Sequence, residues 1–333
     1  GRQMIAVENP YGGVIPELNN LLARGEAYDR FRIATFEATA MGANMALPYG
    51  SWLGSEIRDS YWAPPGLVRE CGRFLEEIDP LLSVTSANRA AVLYSVASVM
   101  SATVNHDLFN LSGAVFKLDD AGSAPATNFW ETVKRLSNDG VTYDVVIAPD
   151  TALRKNDLNA EGLARYEVLA VVSAWALQAE QHAEILSYLN AGGRVVLFGD
   201  YANELPGARE MLVAHANVTV AASLDAIPGL MPRQIEVSDG AELGLNIHQA
   251  PSGGISVHLI NYDYVKQDDA VRRRENLEVK VAHVAPATAM LHRPGRAPIE
   301  LPVTPSDGWS QFTIPELDTY AVVHLAEISP SSM

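Results

Sequence analysis

The chain has 333 residues, a formal net charge of −16 and a sequence pI near 4.9, with 48% hydrophobic and 19% charged residues. That length suggests two or three domains, and the composition is that of a folded globular protein rather than a disordered one. The acidic balance argues against nucleic acid or an anionic membrane as partner, since both require a basic face.

The lone Cys71 lies in the helical pattern LVRECGRFLEEI, where packing is the better reading than reactivity. No run reaches the roughly 18 apolar residues that a membrane span needs. The sequence shows no basic-then-apolar leader and does not begin with methionine, so it is expected to be cut or processed at its start. The compartment stays open: a soluble protein, cytoplasmic or secreted with its leader removed.

Residues 1–83 read as strand, helix, strand, helix. The run MIAVENPYGG passes from apolar residues to a carboxylate, Glu8, and then to a turn, which is the pattern of a buried strand closed by a turn. AYDRFRIATFEATAMGA follows as a helix with Phe31, Ala34, Ala38 and Met41 on one face, ended by Gly42 as a left-handed cap. NMALPYGSW is a second strand, and PPGLVRECGRFLEEIDPLL a second helix with prolines at its start and Asp79-Pro80 at its stop. Two strand–helix units in series imply a parallel sheet or barrel, and two alone cannot close a core.

Residues 84–230 repeat the alternation. RAAVLYSVAS, YDVVIAPD, EVLAVVSAW, RVVLFGD and VTVAAS read as strands. ATNFWETVKRLSNDG, QAEQHAEILSYLNAGG and GAREMLVAHA read as helices, the first two closed by glycine. Nearly continuous apolar strands between amphipathic helices describe a doubly wound α/β layer. From residue 231 to 333 short strands at close spacing (GGISVHLINYDY, LEVKVAHV, ATAMLHR, IELPVTP, SQFTIP, TYAVVHLAE) suggest a small antiparallel β-sandwich, with QDDAVRRRENLE as a solvated loop.

Few motifs carry chemistry by themselves. The eight histidines show no metal-site spacing, and NAGGRVV follows a helix and lacks the G-x-G-x-x-G pattern. Neither a metal nor a cofactor is expected. Asn105, His106 and Asp107 fall in the loop after the first strand of the middle region. Ser173, in VVSAWALQ, lacks a G-x-S-x-G context.

The order of these three regions, carried by IAVENPYGG, FEATAMGANMALPYGSWLG, YEVLAVVSAWALQAEQHAEILSYLNAGGRVVLFGD, ISVHLINYD and FTIPELDTYAVVHL, resembles the C-terminal portion of clan A glycoside hydrolases. The family 42 β-galactosidases are the nearest named relatives. The resemblance implies a TIM-barrel end over 1–83, a flavodoxin-like trimerisation domain over 84–230 and a C-terminal β-sandwich over 231–333. It places Glu8 at the end of the seventh barrel strand as the catalytic nucleophile of a retaining enzyme, where the Asn9–Gly13 turn could supply amides that keep it ionised. A retaining enzyme sets its second carboxylate roughly 5 Å from the first. Asn9, Tyr11, Tyr49, Trp52, Trp62 and His106 would line the carbohydrate site, with the aromatic rings as platforms for the sugar.

The acid/base glutamate of that clan comes from an earlier strand, and Glu17, Glu37 and Glu56 could replace it only in a reorganised site. The resemblance also implies a homo-oligomer, a trimer, and a missing N-terminal barrel portion as partner. The middle region resembles the glutamine-amidotransferase-like fold as well, but its active members use a cysteine where this chain has Ser173. Two other readings stand beside the hydrolase: a non-catalytic oligomerisation or carbohydrate-binding module, and a polysaccharide lyase on a related frame.

Overall fold

The computed structural model describes residues 4–7, 21–46, 64–100, 124–282 and 288–326. It is a mixed α/β protein with a five-stranded parallel sheet and separate antiparallel sheets. The chain divides into two compact units: Asn88–Arg233, and Gly1–Ala87 together with Gln234–Met333.

The first unit is the doubly wound layer. Its strands are β3 (Ala90–Ser95), β4 (Asp144–Ala148), β5 (Val168–Ala174), β6 (Arg194–Tyr201) and β7 (Val218–Val220), all parallel, in the order β4-β3-β5-β6-β7. All seven residues of the central β5 are buried, because helices cover both faces. One face builds a core of Leu93, Leu169, Val171 and Leu197, joined by Ile185 and Leu189. The other joins Val92, Ala170 and Val196 to Phe129 and Leu136.

The double glycine after the helix Ala179–Asn190 has two separate reasons. Gly192 takes a φ of +99°, and a Cβ on Gly193 would lie 2.2 Å from the Tyr188 ring. RAAVLYSVAS differs from its expected single strand: the strand stops at Ser95, and Val96–Met100 is helical. The Ser95 hydroxyl accepts a hydrogen bond from the Ser98 amide, an N-cap inside an apolar run.

The second unit opens with a strand–helix–strand. Strand β1 (Met4–Val7) pairs in parallel with β2 (Ala43–Ala46), and α1 (Tyr28–Ala40) connects them. Gly42, at φ +75°, turns the chain out of α1 as expected. The buried face of α1 is not the expected one. Phe31 and Ala38 are buried, but so are Thr35, Phe36, Thr39 and Ala40, while Met41 is 51% exposed. The helix is covered over a wide arc, and Thr35 satisfies its hydroxyl on the Phe31 carbonyl.

Helix α2 (Pro65–Ile78) buries Leu67, Cys71, Phe74 and Ile78 along one stripe and ends in the short turn Asp79–Leu81. Cys71 packs as expected, and burial, aided by Glu70, pushes its thiol up to about 12.

Two antiparallel sheets complete this unit. One has the order β15-β14-β18-β10-β9, from β9 (Leu243–Gln249), β10 (Ile255–Asn261), β14 (Thr288–His292), β15 (Ile299–Leu301) and β18 (Tyr320–Ala326). The other has β8 (Ile235–Val237), β13 (Arg274–Val281), β16 (Thr304–Ser306) and β17 (Trp309–Leu317) in the order β16-β17-β13-β8. Between them lies a core of Val257, Leu259, Val323, Val279, Phe312 and Ile314.

The expected loop QDDAVRRRENLE is more ordered than its charges suggest. It holds β12 (Ala270–Val271), which pairs as a small hairpin with β11 (Tyr264–Val265) just before it, and the start of β13, and its arginines bind carboxylates: Arg272 to Asp263, Arg273 to Asp318 and Arg274 to Asp263 and Asp239. Strands β8 and β9 lie outside the expected elements, since Gly244 and Asn246 dilute the β signature of LGLNIHQ.

Candidate functional site

Parallel pairing of β1 and β2 sets Met4 against Ala43 and Val7 against Ala46, so both strands end at the same edge. In α/β folds the carboxyl ends of parallel strands are where ligands and reacting groups gather. Glu8 is the next residue after Val7, and Tyr49 and Trp52 follow Ala46 by three and six positions. Glu8, Asn9, Tyr11, Tyr49, Trp52, Trp62 and His106 lie outside the described residues, as do Glu17, Glu56, Asn105 and Asp107.

The supports of this edge are described. Helix α1, which joins the two strands, is fixed at its start by Asp269, whose carboxylate oxygens both accept from the Ala27 amide at 2.8 Å. In return Asp29 accepts from the Val271 amide at 3.0 Å. Arg32 bridges the two helices, with Asp29 at 2.7 Å and Glu70 at 2.9 Å. Glu37 is exposed on α1 and accepts a 2.7 Å hydrogen bond from the Tyr262 hydroxyl. Burial and this carboxylate both push the Tyr262 phenol upward.

In the other unit Ser173 is buried at φ +48°, where the β5–β6 register shifts. Its hydroxyl accepts a 2.7 Å hydrogen bond from Asn128 Nδ2, and a Cβ on Gly199 would come within 2.5 Å of it. This serine is engaged in packing and hydrogen bonding rather than paired with a base. Among the described residues no cluster of three or more His, Cys, Asp or Glu side chains could hold a metal ion, and no helix is long and apolar enough to cross a membrane.

Sequence reasoning missed a buried polar chain in the second unit: Asn246, His248, His258 and Tyr320, drawn from three strands. Only the register of those strands brings the four together, so no local motif could have announced it.

No protein-family profile matches the chain, and no curated protein matches it in sequence. Solved structures do. The α-L-fucosidase isoenzyme 2 of Paenibacillus thiaminolyticus matches with a TM-score of 0.61 at 13% identity, over 98% of this chain and 66% of the fucosidase. The β-galactosidase of Bacillus circulans sp. alkalophilus matches with a TM-score of 0.54 at 12% identity, over 90% of this chain and 52% of the enzyme. A family 42 β-galactosidase of G. stearothermophilus gives 0.54 at 9% identity, over 89% and 51%. The chain shares the fold of these glycoside hydrolases and spans about half the length of the two β-galactosidases.

Proposed function

We propose that this chain is the C-terminal portion of a retaining glycoside hydrolase of β-galactosidase type, acting on an oligo- or polysaccharide. Glu8 is the nucleophile. Asn9, Tyr11, Tyr49, Trp52, Trp62 and His106 line the sugar site, and the acid/base carboxylate comes from a barrel portion outside this chain. A carboxylate at the rim of a parallel β pair can attack an anomeric carbon if nearby donors keep it ionised. The observation that carries the reading is the β1–β2 register, which brings the strand preceding Glu8 and the strand preceding Tyr49 and Trp52 to one edge within a glycosidase fold.

On this reading the parallel layer is a flavodoxin-like trimerisation domain. Its strand order β4-β3-β5-β6-β7 supports the first half of that description. Large apolar side chains left exposed there, Trp130 at 62%, Val145 at 47% and Ile147 at 39%, support a contact with further copies. The same exposure favours the alternative of a non-catalytic oligomerisation module.

Hydrolysis of aryl β-galactosides by the natural full-length protein separates the two. Glu8→Gln is expected to lower kcat at least about a thousandfold while unfolding is unchanged, as removal of a nucleophile does. An unchanged rate excludes Glu8 as nucleophile. A wild-type protein without hydrolysis leaves the module.

A further inference from the structure

Register places His248, His258, His292 and His324, four of the chain's eight histidines, on one face of the β15-β14-β18-β10-β9 sheet. That face is turned to the helices: the Ser256 hydroxyl donates to the Leu81 carbonyl, Asn246 Nδ2 to the Ala40 carbonyl, and Tyr320 stacks on Phe36 with centroids 5.0 Å apart.

At its centre the His248 and His258 rings lie 4.7 Å apart, and His258 is fully buried. His258 Nδ1 shares a 2.6 Å hydrogen bond with the Tyr320 hydroxyl, while its Nε2 has no hydrogen-bonding partner among the described residues. On the facing strand, Asn246 Nδ2 is 3.0 Å from His248 Nε2.

We propose that this close, tilted histidine pair is an acid-sensitive latch holding α1 and α2 onto the sheet. A buried imidazole is tolerated while neutral, and a proton on it would place an uncompensated charge in an apolar interior. No carboxylate bonds His258 among the described residues; the titratable neighbour acting on it is His248, which opposes its charge.

Several other titratable groups on the packed elements are engaged elsewhere, among them Asp29, Arg32 and Glu70 with one another. Glu37 holds Tyr262, Glu77 holds His292 at 3.2 Å, and His324 meets the Gly253 carbonyl at 3.0 Å. Cys71, with its thiol pushed up to about 12, is neutral. The sign follows. Burial depresses His258 well below its ordinary value, so its contribution is intact above the unfolded value and is lost as pH falls through it.

Hydrogen exchange of the natural protein between about pH 7.5 and pH 5, corrected for intrinsic rates, tests the latch. Amides of α1, α2 and β10 are expected to lose about 30-fold in protection, the ratio set by one imidazole of ordinary value near 6.5 that stays neutral when folded. Amides of β5 and β6, in the other unit, are expected to lose less, although burial also lowers His182 there. His258→Gln keeps a polar side chain without titration and is expected to abolish most of the acid loss. Should that variant not fold, His248→Gln is expected to reduce the loss, because the opposing charge is gone. Equal losses in both units, undiminished loss in a folded variant, or reversible protonation of native His258 near its ordinary value would overturn the proposal.

Discussion

The parallel sheet of one unit and the β15-β14-β18-β10-β9 sheet of the other are each buried on both faces at their centres, by opposite means. In the parallel sheet of residues 88–233 both faces are aliphatic, with Leu169 and Val171 on one and Ala170 and Val172 on the other. In the β15-β14-β18-β10-β9 sheet one face is aliphatic, with Val257 and Leu259 against the second sheet. The other carries Asn246, His248, Ser256, His258 and Tyr320 beneath helices. A doubly covered sheet therefore need not be apolar, provided register lines up donors with acceptors. The first sheet is held by surface removed from water, which is insensitive to pH. The second depends on groups that are costly when unpaired and titrate when wetted.

The largest expected effect lies on the aliphatic side. Leu169→Ala, at a position with no exposure in the middle of β5, leaves a cavity and should cost about 2–5 kcal/mol. Urea unfolding followed through the β5 amides measures it, and the cost should be the same at neutral and mildly acidic pH. A loss that grew in acid would break the contrast between the sheets.

Tyr320→Phe makes the corresponding test on the polar side. It preserves the stack on Phe36 but removes the partner of His258 Nδ1, at an expected cost of about 1–3 kcal/mol for an orphaned buried group. Unfolding followed through the α1 and β10 amides reads it. A cost near zero would mean that the polar face is held by ring packing alone.

The same contrast explains how legible each part was. The parallel layer was readable because strands such as VLAVVSA are apolar throughout and helices end on glycines whose geometry demands them, as Gly192 does. The helix at Val96–Met100 escaped because its apolar residues continue those of β3, and the cap at Ser95 was the one local sign. In ISVHLIN the alternation of polar and apolar residues marks a strand but cannot say whether Ser256 and His258 meet water or helices. That is decided by the helices of residues 28–40 and 65–81, distant in sequence. The candidate site was legible as two strand ends, Glu8 after the first and Tyr49 and Trp52 after the second. Their parallel pairing was expected from the strand–helix–strand order, and the register of Val7 with Ala46 is what periodicity alone could not name.

The smallest expected effect tests whether local bonds or buried faces hold α1. Asp269, itself at φ +51°, takes the Ala27 amide on both carboxylate oxygens, and Ala27 is fully buried at φ +60° just before the helix. Asp269→Ala removes a negative charge from the positive end of the helix and leaves that amide without its acceptor, while every aromatic contact of Phe36 and Phe74 remains. A cap of this kind contributes about 1 kcal/mol, less than the Tyr320 hydroxyl and far less than the Leu169 side chain. Exchange should therefore quicken in the first turn of α1 and leave its last turn unchanged, because Ala40 is tied through its carbonyl to Asn246 on the sheet. If the whole helix opened together, the hairpin carrying Asp269 would be the principal fastening, and the histidine face beneath would be filling rather than structure.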